Sequence, residues 1–252
     1  MITSAELKSV RALKTKKGRE EHQAFLIEGD KIVQDAAAAD WEISRLFVTR
    51  EAEEEKREWL GRLGQSYEVV DSRTMDSIST VMTPPGVIGV VRQPSYRLND
   101  ALLGPIIVAV AGVSDPGNLG SIIRTADWFG VTGIILSPDA VDPYNEKVVR
   151  AAMGSLFHVK LFESHDLESD LRQAKAAGYH LIAAEAHGST GLVGQFERLC
   201  LVMGSEAAGL PRAIQEITDS VYTIPGRGKA ESLNVAVSFG IILNELVTRA
   251  YV

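Results

Sequence analysis

The sequence predicts an α/β protein: a parallel sheet covered on both faces, preceded by a smaller α/β module. Three observations predict it. Apolar runs alternate with helical stretches through the second part of the chain. Those runs are apolar at nearly every position, as strands buried on both faces must be. A stretch rich in breakers, with Pro94, Asn99, Asp100, Gly104 and Pro105, divides the chain.

The first module is read from its N-terminal side. Ala24-Phe25-Leu26-Ile27 is a short apolar run ending at Glu28-Gly29, and a helical stretch follows over Lys31 to Ala39. Ile43 to Thr49 alternates like a strand, and Glu51 to Leu63 has helix composition. Tyr67 to Val70 and Val87 to Val91 are further strands. The spacing then predicts strands at Ile106–Val110, Gly133–Leu136, His158–Phe162, His180–Ala184, Leu199–Met203 and Val221–Ile224. Helices are expected over Leu119–Phe129, Leu167–Ala177, Pro211–Thr218 and Ser232–Arg249. The domains are accordingly 1–95, a linker 96–105, and 106–252.

Composition excludes several classes. The chain has 252 residues, 45% hydrophobic and 23% charged, which fits an ordinary folded protein and not a disordered or collagen-like one. Ile106 to Val113 is far shorter than the roughly 18–20 apolar residues of a membrane span. The start, Met1-Ile2-Thr3-Ser4-Ala5-Glu6, lacks the apolar core of a secretory signal. One cysteine, Cys200, permits no internal disulfide, which fits a reducing cytoplasmic setting. Cys200 lies inside an apolar run and reads as a core thiol. No HxxxH or HExxH pair is present, so no metal site is expected. The net charge is −7, yet Lys8, Arg11, Lys14, Lys16, Lys17 and Arg19 crowd the N-terminus. Such a patch is either a solvated helix face or a phosphate-binding one.

In parallel sheets, ligands bind beyond the carboxyl ends of the strands. Three loops there carry the argument. The first is Asp115-Pro116-Gly117-Asn118-Leu119-Gly120, leading to Arg124-Thr125-Ala126. Asn118 is expected to cap the helix, and Arg124 to serve the same helix end. Read alone, this is first a capped helix with a surface arginine. The second is Gly204-Ser205-Glu206-Ala207-Ala208-Gly209-Leu210-Pro211, where glycines permit unusual backbone angles or a close ligand. An ordinary strand-to-helix turn is the plain alternative. The third runs from Ile224-Pro225 through Gly226 and Gly228 to Ser232-Leu233-Asn234, two polar side chains at a helix start.

Familiar motifs fail. A phosphate-binding loop of the Walker type needs a glycine where Thr223 stands and a hydroxyl where Ala230 stands. No GxGxxG opens a helix after a strand, and Gly154-Ser155 is not part of a GxSxG elbow.

Together the three loops resemble the three signature motifs of the SpoU (TrmH-like) RNA 2′-O-methyltransferases of the SPOUT class. The first motif corresponds to Asn118-Leu119-Gly120 through Arg124-Thr125-Ala126, the second to Met203-Gly204-Ser205-Glu206 with Gly209-Leu210. The third corresponds to Ile224-Pro225 and Glu231-Ser232-Leu233-Asn234-Val235-Ala236. Arg150-Ala151-Ala152-Met153-Gly154-Ser155 resembles a further segment of the same domain. The first module is similar, less specifically, to the family's L30e-like substrate-binding domain, through Lys16-Lys17-Gly18-Arg19 and Phe25-Leu26-Ile27-Glu28-Gly29.

The resemblance implies a deep trefoil knot in the C-terminal domain, bound S-adenosylmethionine, and a homodimer whose active site uses both chains. It implies that Gly204, Ile224 and Leu233 contact the cofactor and that Asn118, Arg124, Glu206, Ser232 and Asn234 form the reaction site. Lys14, Lys16, Lys17 and Arg19 would bind RNA of the 23S ribosomal type. The family's favoured group for activating the ribose hydroxyl sits at Arg124. A guanidinium is a poor base, so we expect Arg124 to grip phosphate and stabilise a developing alkoxide. Glu206 would orient it. The rival readings are a transfer-RNA methyltransferase, a non-catalytic RNA-binding or assembly protein that keeps the knot, and another nucleotide-binding α/β enzyme such as a dehydrogenase.

Overall fold

The computed structural model describes residues 2–186, 196–205 and 208–250. The chain forms two units, one of residues 1–95 with 144–157, the other of 96–143 with 158–252.

The first unit begins with helices α1 (Ser4–Ala12) and α2 (Lys16–His22). Thr3 starts α1 with a reciprocal cap: its hydroxyl accepts from Glu6 N at 3.3 Å, while its own N–H donates to Glu6 Oε2 at 2.7 Å. Strand β1 (Ala24–Glu28), helix α3 (Asp30–Ala38) and strand β2 (Ile43–Thr49) follow. The helix expected over Glu51 to Leu63 is two, α4 (Arg50–Glu55) and α5 (Arg57–Leu63), joined at Lys56. Strand β3 (Glu68–Val70), helix α6 (Ser72–Ile78) and strand β4 (Val87–Arg92) complete it. The sheet order is β1-β4-β2-β3, antiparallel except for β2 with β3.

Arg19 corrects an expectation. It is 3% exposed and donates Nη1 to Leu13 O at 2.9 Å. It ties α2 to the end of α1, and its guanidinium is not presented to a nucleic acid. Lys16 and Lys17 are exposed and Lys14 is half-buried.

The second unit opens with α7 (Leu98–Ala101), inside the segment expected as a linker. Leu98, Ala101 and Leu102 belong to the unit's core. Arg198 Nη2 donates to Leu102 O at 2.8 Å and Tyr179 Oη to Gly104 O at 2.6 Å. Composition marked this stretch as irregular, but packing anchors it. Strand β5 (Ile106–Val110), helix α8 (Pro116–Trp128) and strand β6 (Gly133–Leu136) follow.

The chain then contributes α9 (Glu146–Ala152) and a 3₁₀ turn (Ser155–Phe157) to the first unit. The Tyr144 ring packs tilted against Phe25, with centroids 4.8 Å apart, and Trp41 Nε1 donates to Phe157 O at 3.1 Å. Arg150 Nη1 donates to Thr80 Oγ1 at 3.2 Å. Arg150 to Ser155, expected within the C-terminal domain, therefore packs with the N-terminal module. Aromatic contacts from far along the chain decide its place.

The rest of the second unit is β7 (Lys160–Glu163), α10 (Leu167–Ala176), β8 (His180–Ala184), β9 (Leu199–Met203), α11 (Arg212–Ile217), β10 (Ser220–Tyr222) and α12 (Val235–Ala250). Its six strands are all parallel, in the order β10-β8-β9-β5-β6-β7. Every residue of β5 and β9 is buried. Ile107 and Ala109 join a cluster with Leu171 of α10 and Ile214 of α11. The alternate residue Val108 is 0% exposed, so the other face is covered as well. Cys200 is fully buried in β9, and burial pushes its thiol pKa up, which makes it inert. Among the described residues no helix is long and apolar enough to cross a membrane.

Candidate active site

The first loop leaves β5 through Ala111 and Gly112. Ala111 N donates to Met203 O at 2.8 Å, which ties the end of β5 to the end of β9. Gly112 takes a positive φ of 68°, and its N–H donates to Ser137 Oγ at 2.9 Å, just past β6. Helix α8 then starts earlier than expected. Its cap is Asp115, whose carboxylate accepts from Asn118 N at 2.8 Å, with Pro116 at the first helical position. Asn118 is therefore inside the first turn, and its side chain is released from capping.

That side chain meets the third loop. Asn234 Nδ2 donates to Asn118 Oδ1 at 2.8 Å. Asn234 is itself the cap of α12, because its Oδ1 accepts from Ala236 N at 3.0 Å and Val237 N at 3.3 Å. Two helix N-termini, distant in sequence, thus meet through one amide pair. The exposed N–H groups and the dipole of each helix end favour negative charge there. A phosphate, or a hydroxyl losing its proton, is the matching chemistry.

The second loop turns back on itself. Gly209 N donates to Ser205 O at 2.9 Å, and Ala208 N to Ser205 Oγ at 3.2 Å. A Cβ on Gly204 would stand 2.4 Å from Gly209 C and 2.7 Å from Leu210 N. The chain's own backbone, before any ligand, demands glycine there. Gly204→Ala is expected to cost about 3 kcal/mol of stability by forcing rigid backbone apart. Urea unfolding measures it, and an unchanged midpoint would contradict the tight approach.

A cleft of about 360 Å³ opens beyond β5, β6 and β9. Its walls include Ala111, Leu167, Pro211 and Ile214, with Ser205 and Asp139 as polar members. Ser137 Oγ donates to the Asp139 carboxylate, so Asp139 is held in place by the same serine that fixes Gly112. Sequence reasoning did not name Ser137 or Asp139. The rule that placed the other loops, read after Leu136, points to them.

The third loop is open. Residues 225–234 are all exposed, Ile224 is half-buried, and Leu233 is 44% exposed. Among the described residues, none from Thr223 to Leu233 makes a hydrogen bond. Their N–H and C=O groups are available to a ligand. Thr223 is buried, and its Oγ1 has no hydrogen-bond partner among the described residues. These features fit a ligand that is bound largely through backbone groups.

The expected site residues are thus unequally placed. Asn118 and Asn234 are brought together. Ser232 is exposed two residues before Asn234, and Ile224, Leu233 and Gly204 lie in the loops where they were expected. Glu206 lies outside the described residues. Arg124 is exposed and, among the described residues, has no hydrogen-bond or ion-pair partner. Six residues along an α-helix are roughly 9 Å and about 120° round the axis, so Arg124 does not share the helix end with Asn118. It shares a face instead with Trp128, one turn on. Trp128 is 85% exposed, and α12, which packs on α8, exposes Val237 (51%) and Ile241 (42%).

Comparison with known proteins yields a family and its relatives. Residues 105–244 match the SpoU rRNA Methylase family, and residues 4–89 match the MRM3-like substrate binding domain. The 23S rRNA (guanosine(2553)-2′-O)-methyltransferase RlmP of Bacillus subtilis is 31% identical, over 96% of this chain and 95% of its own. The AdoMet-bound rRNA methyltransferase from Sinorhizobium meliloti superposes with a TM-score of 0.85 at 34% identity, covering 99% of this chain and 96% of that one. The SpoU methyltransferase AviRb from Streptomyces viridochromogenes, in complex with AdoMet, gives 0.87 at 28% identity over 99% of both chains.

Proposed function

Because the chain belongs to the SpoU rRNA Methylase family, we propose that it methylates the 2′-hydroxyl of a ribose in ribosomal RNA of the 23S type, with S-adenosylmethionine as donor. The observation that carries this reading is the Asn234–Asn118 hydrogen bond, which joins the first and third loops at two helix N-termini. S-adenosylmethionine, when bound, supplies a methyl group already activated on a sulfonium sulfur, so that the ribose oxygen gains CH₃ and loses one proton. Everything else falls to the chain. Ile224, Leu233 and Gly204 hold the donor through backbone groups. Asn118 and Asn234, with Ser232, orient the ribose hydroxyl. Alignment of this kind is worth several powers of ten in rate. Arg124 grips the adjoining phosphate and stabilises the oxygen as its proton leaves, and Glu206 assists.

Arg124 does this best for a second copy of the chain. Its exposed face on α8, beside Trp128, and the apolar residues Val237 and Ile241 of α12 support a two-fold dimer in which each arginine serves the partner's site. Residues 1–95 dock the RNA, with Lys14, Lys16 and Lys17 on its phosphates, and residues 106–252 form the knotted catalytic domain. The place of action is the cytoplasm, where ribosomal RNA is reached.

The test is to incubate the full chain with radiolabelled S-adenosylmethionine and separated, unmodified 23S, 16S and transfer RNA. Label is expected in 23S RNA at a linkage resistant to alkali, because a methylated 2′-oxygen cannot attack the phosphate. Label confined to transfer RNA, or on a base, would overturn the reading.

A further inference from the structure

We propose that Thr223 Oγ1 is a hydrogen-bonding contact for S-adenosylmethionine, an assignment that rests on the methyl-transfer reading above. Thr223 is 7% exposed, and its hydroxyl has no hydrogen-bond partner among the described residues. Leaving a buried hydroxyl unpaired costs stability, so folded proteins pair such groups with protein, water or ligand. Among the described residues, the other buried side-chain atom without a hydrogen bond, Arg45 Nη1, still stands 3.5 Å from Glu68 Oε1 and is compensated by charge. Thr223 has no such relief.

Its position names the ligand. Thr223 directly follows β10 and directly precedes Ile224, the start of the stretch whose backbone groups are unbonded. Strand alternation puts its side chain on the face opposite Tyr222, whose hydroxyl donates to Glu245 of α12. It puts Thr223 on the face of Val221, which packs in the cluster of α10 and α11. The hydroxyl therefore stands at the carboxyl end of an edge strand, where a ligand held by the third loop meets it. Valine has the same shape and would serve strand and core without the desolvation cost. A hydroxyl is useful here for what it donates to or accepts from a ligand.

The test compares the wild type with Thr223→Val and Thr223→Ser. Calorimetric titration with S-adenosylmethionine and with S-adenosylhomocysteine reads affinity, and thermal unfolding without ligand reads stability. Thr223→Val is expected to weaken binding of both by about 3- to 10-fold, the worth of one hydrogen bond. The ligand-free Tm of the same variant should hold or rise by about 2–4 °C, because an unpaired group has been removed. Thr223→Ser should bind within about twofold of the wild type. Unchanged affinity in Thr223→Val, or a lowered ligand-free Tm, overturns the proposal, since either makes the hydroxyl a structural one. Wild type that binds neither compound overturns the methyl-transfer reading as well, which separates the two failures.

Discussion

Arg124→Ala should lower kcat for methyl transfer by about 10²- to 10³-fold, the effect of removing one preorganised donor from a developing oxyanion. Affinity for S-adenosylmethionine should stay within about twofold, and stability within about 0.5 kcal/mol, because the side chain is exposed and, among the described residues, touches no other element through a polar bond. The separation of effects is the informative part. A general base would be replaceable by other proton acceptors, whereas a guanidinium that holds phosphate in two places is not. Arg124→Lys keeps the charge but loses the planar fork, so it should recover only part of the rate. Steady-state kinetics with 23S RNA and calorimetry with the donor alone make the comparison. A loss of donor affinity as large as the loss in rate would place Arg124 in the donor site and contradict its role.

Ile241→Glu should convert the protein to monomers and take activity with it. Ile241 is 42% exposed in the single chain, so the fold is expected to tolerate the change, and thermal unfolding of the variant checks that it does. In a two-fold interface the same substitution occurs twice and buries unpaired charge at about 3–5 kcal/mol per site, a dissociation constant raised by at least about 10²-fold. Sedimentation and activity measured on the same sample decide the matter. Monomers with full activity would show that each chain carries a complete site. If the dimer shares its sites, mixing Arg124→Ala chains with Asn234→Ala chains should regenerate activity, since one of the two sites in a mixed dimer holds both intact residues.

Several features follow from local sequence. The strand Leu199–Met203 is apolar at every position, and only a two-faced burial accommodates that. The third loop follows from glycines and polar residues that neither strand nor helix tolerates. Helix α8 shows where local reading stops. Asn118 and Asp115 are both good caps, and Asp115 wins because Pro116 after it suits the first helical position. Nothing local says that Asn118, once freed, finds Asn234.

The apolar alternation, the strand-end loops and the three motifs were decided by the sequence alone, because each depends on residues a few positions apart. The burial of Arg19 under Leu13, the attachment of residues 144–157 to the first unit, the glycine needed at position 204 and the stranded hydroxyl of Thr223 were decided only in three dimensions. Each of those depends on which atoms stand opposite. Side-chain spacing along a chain records which face a residue takes, but not what the rest of the molecule brings against it.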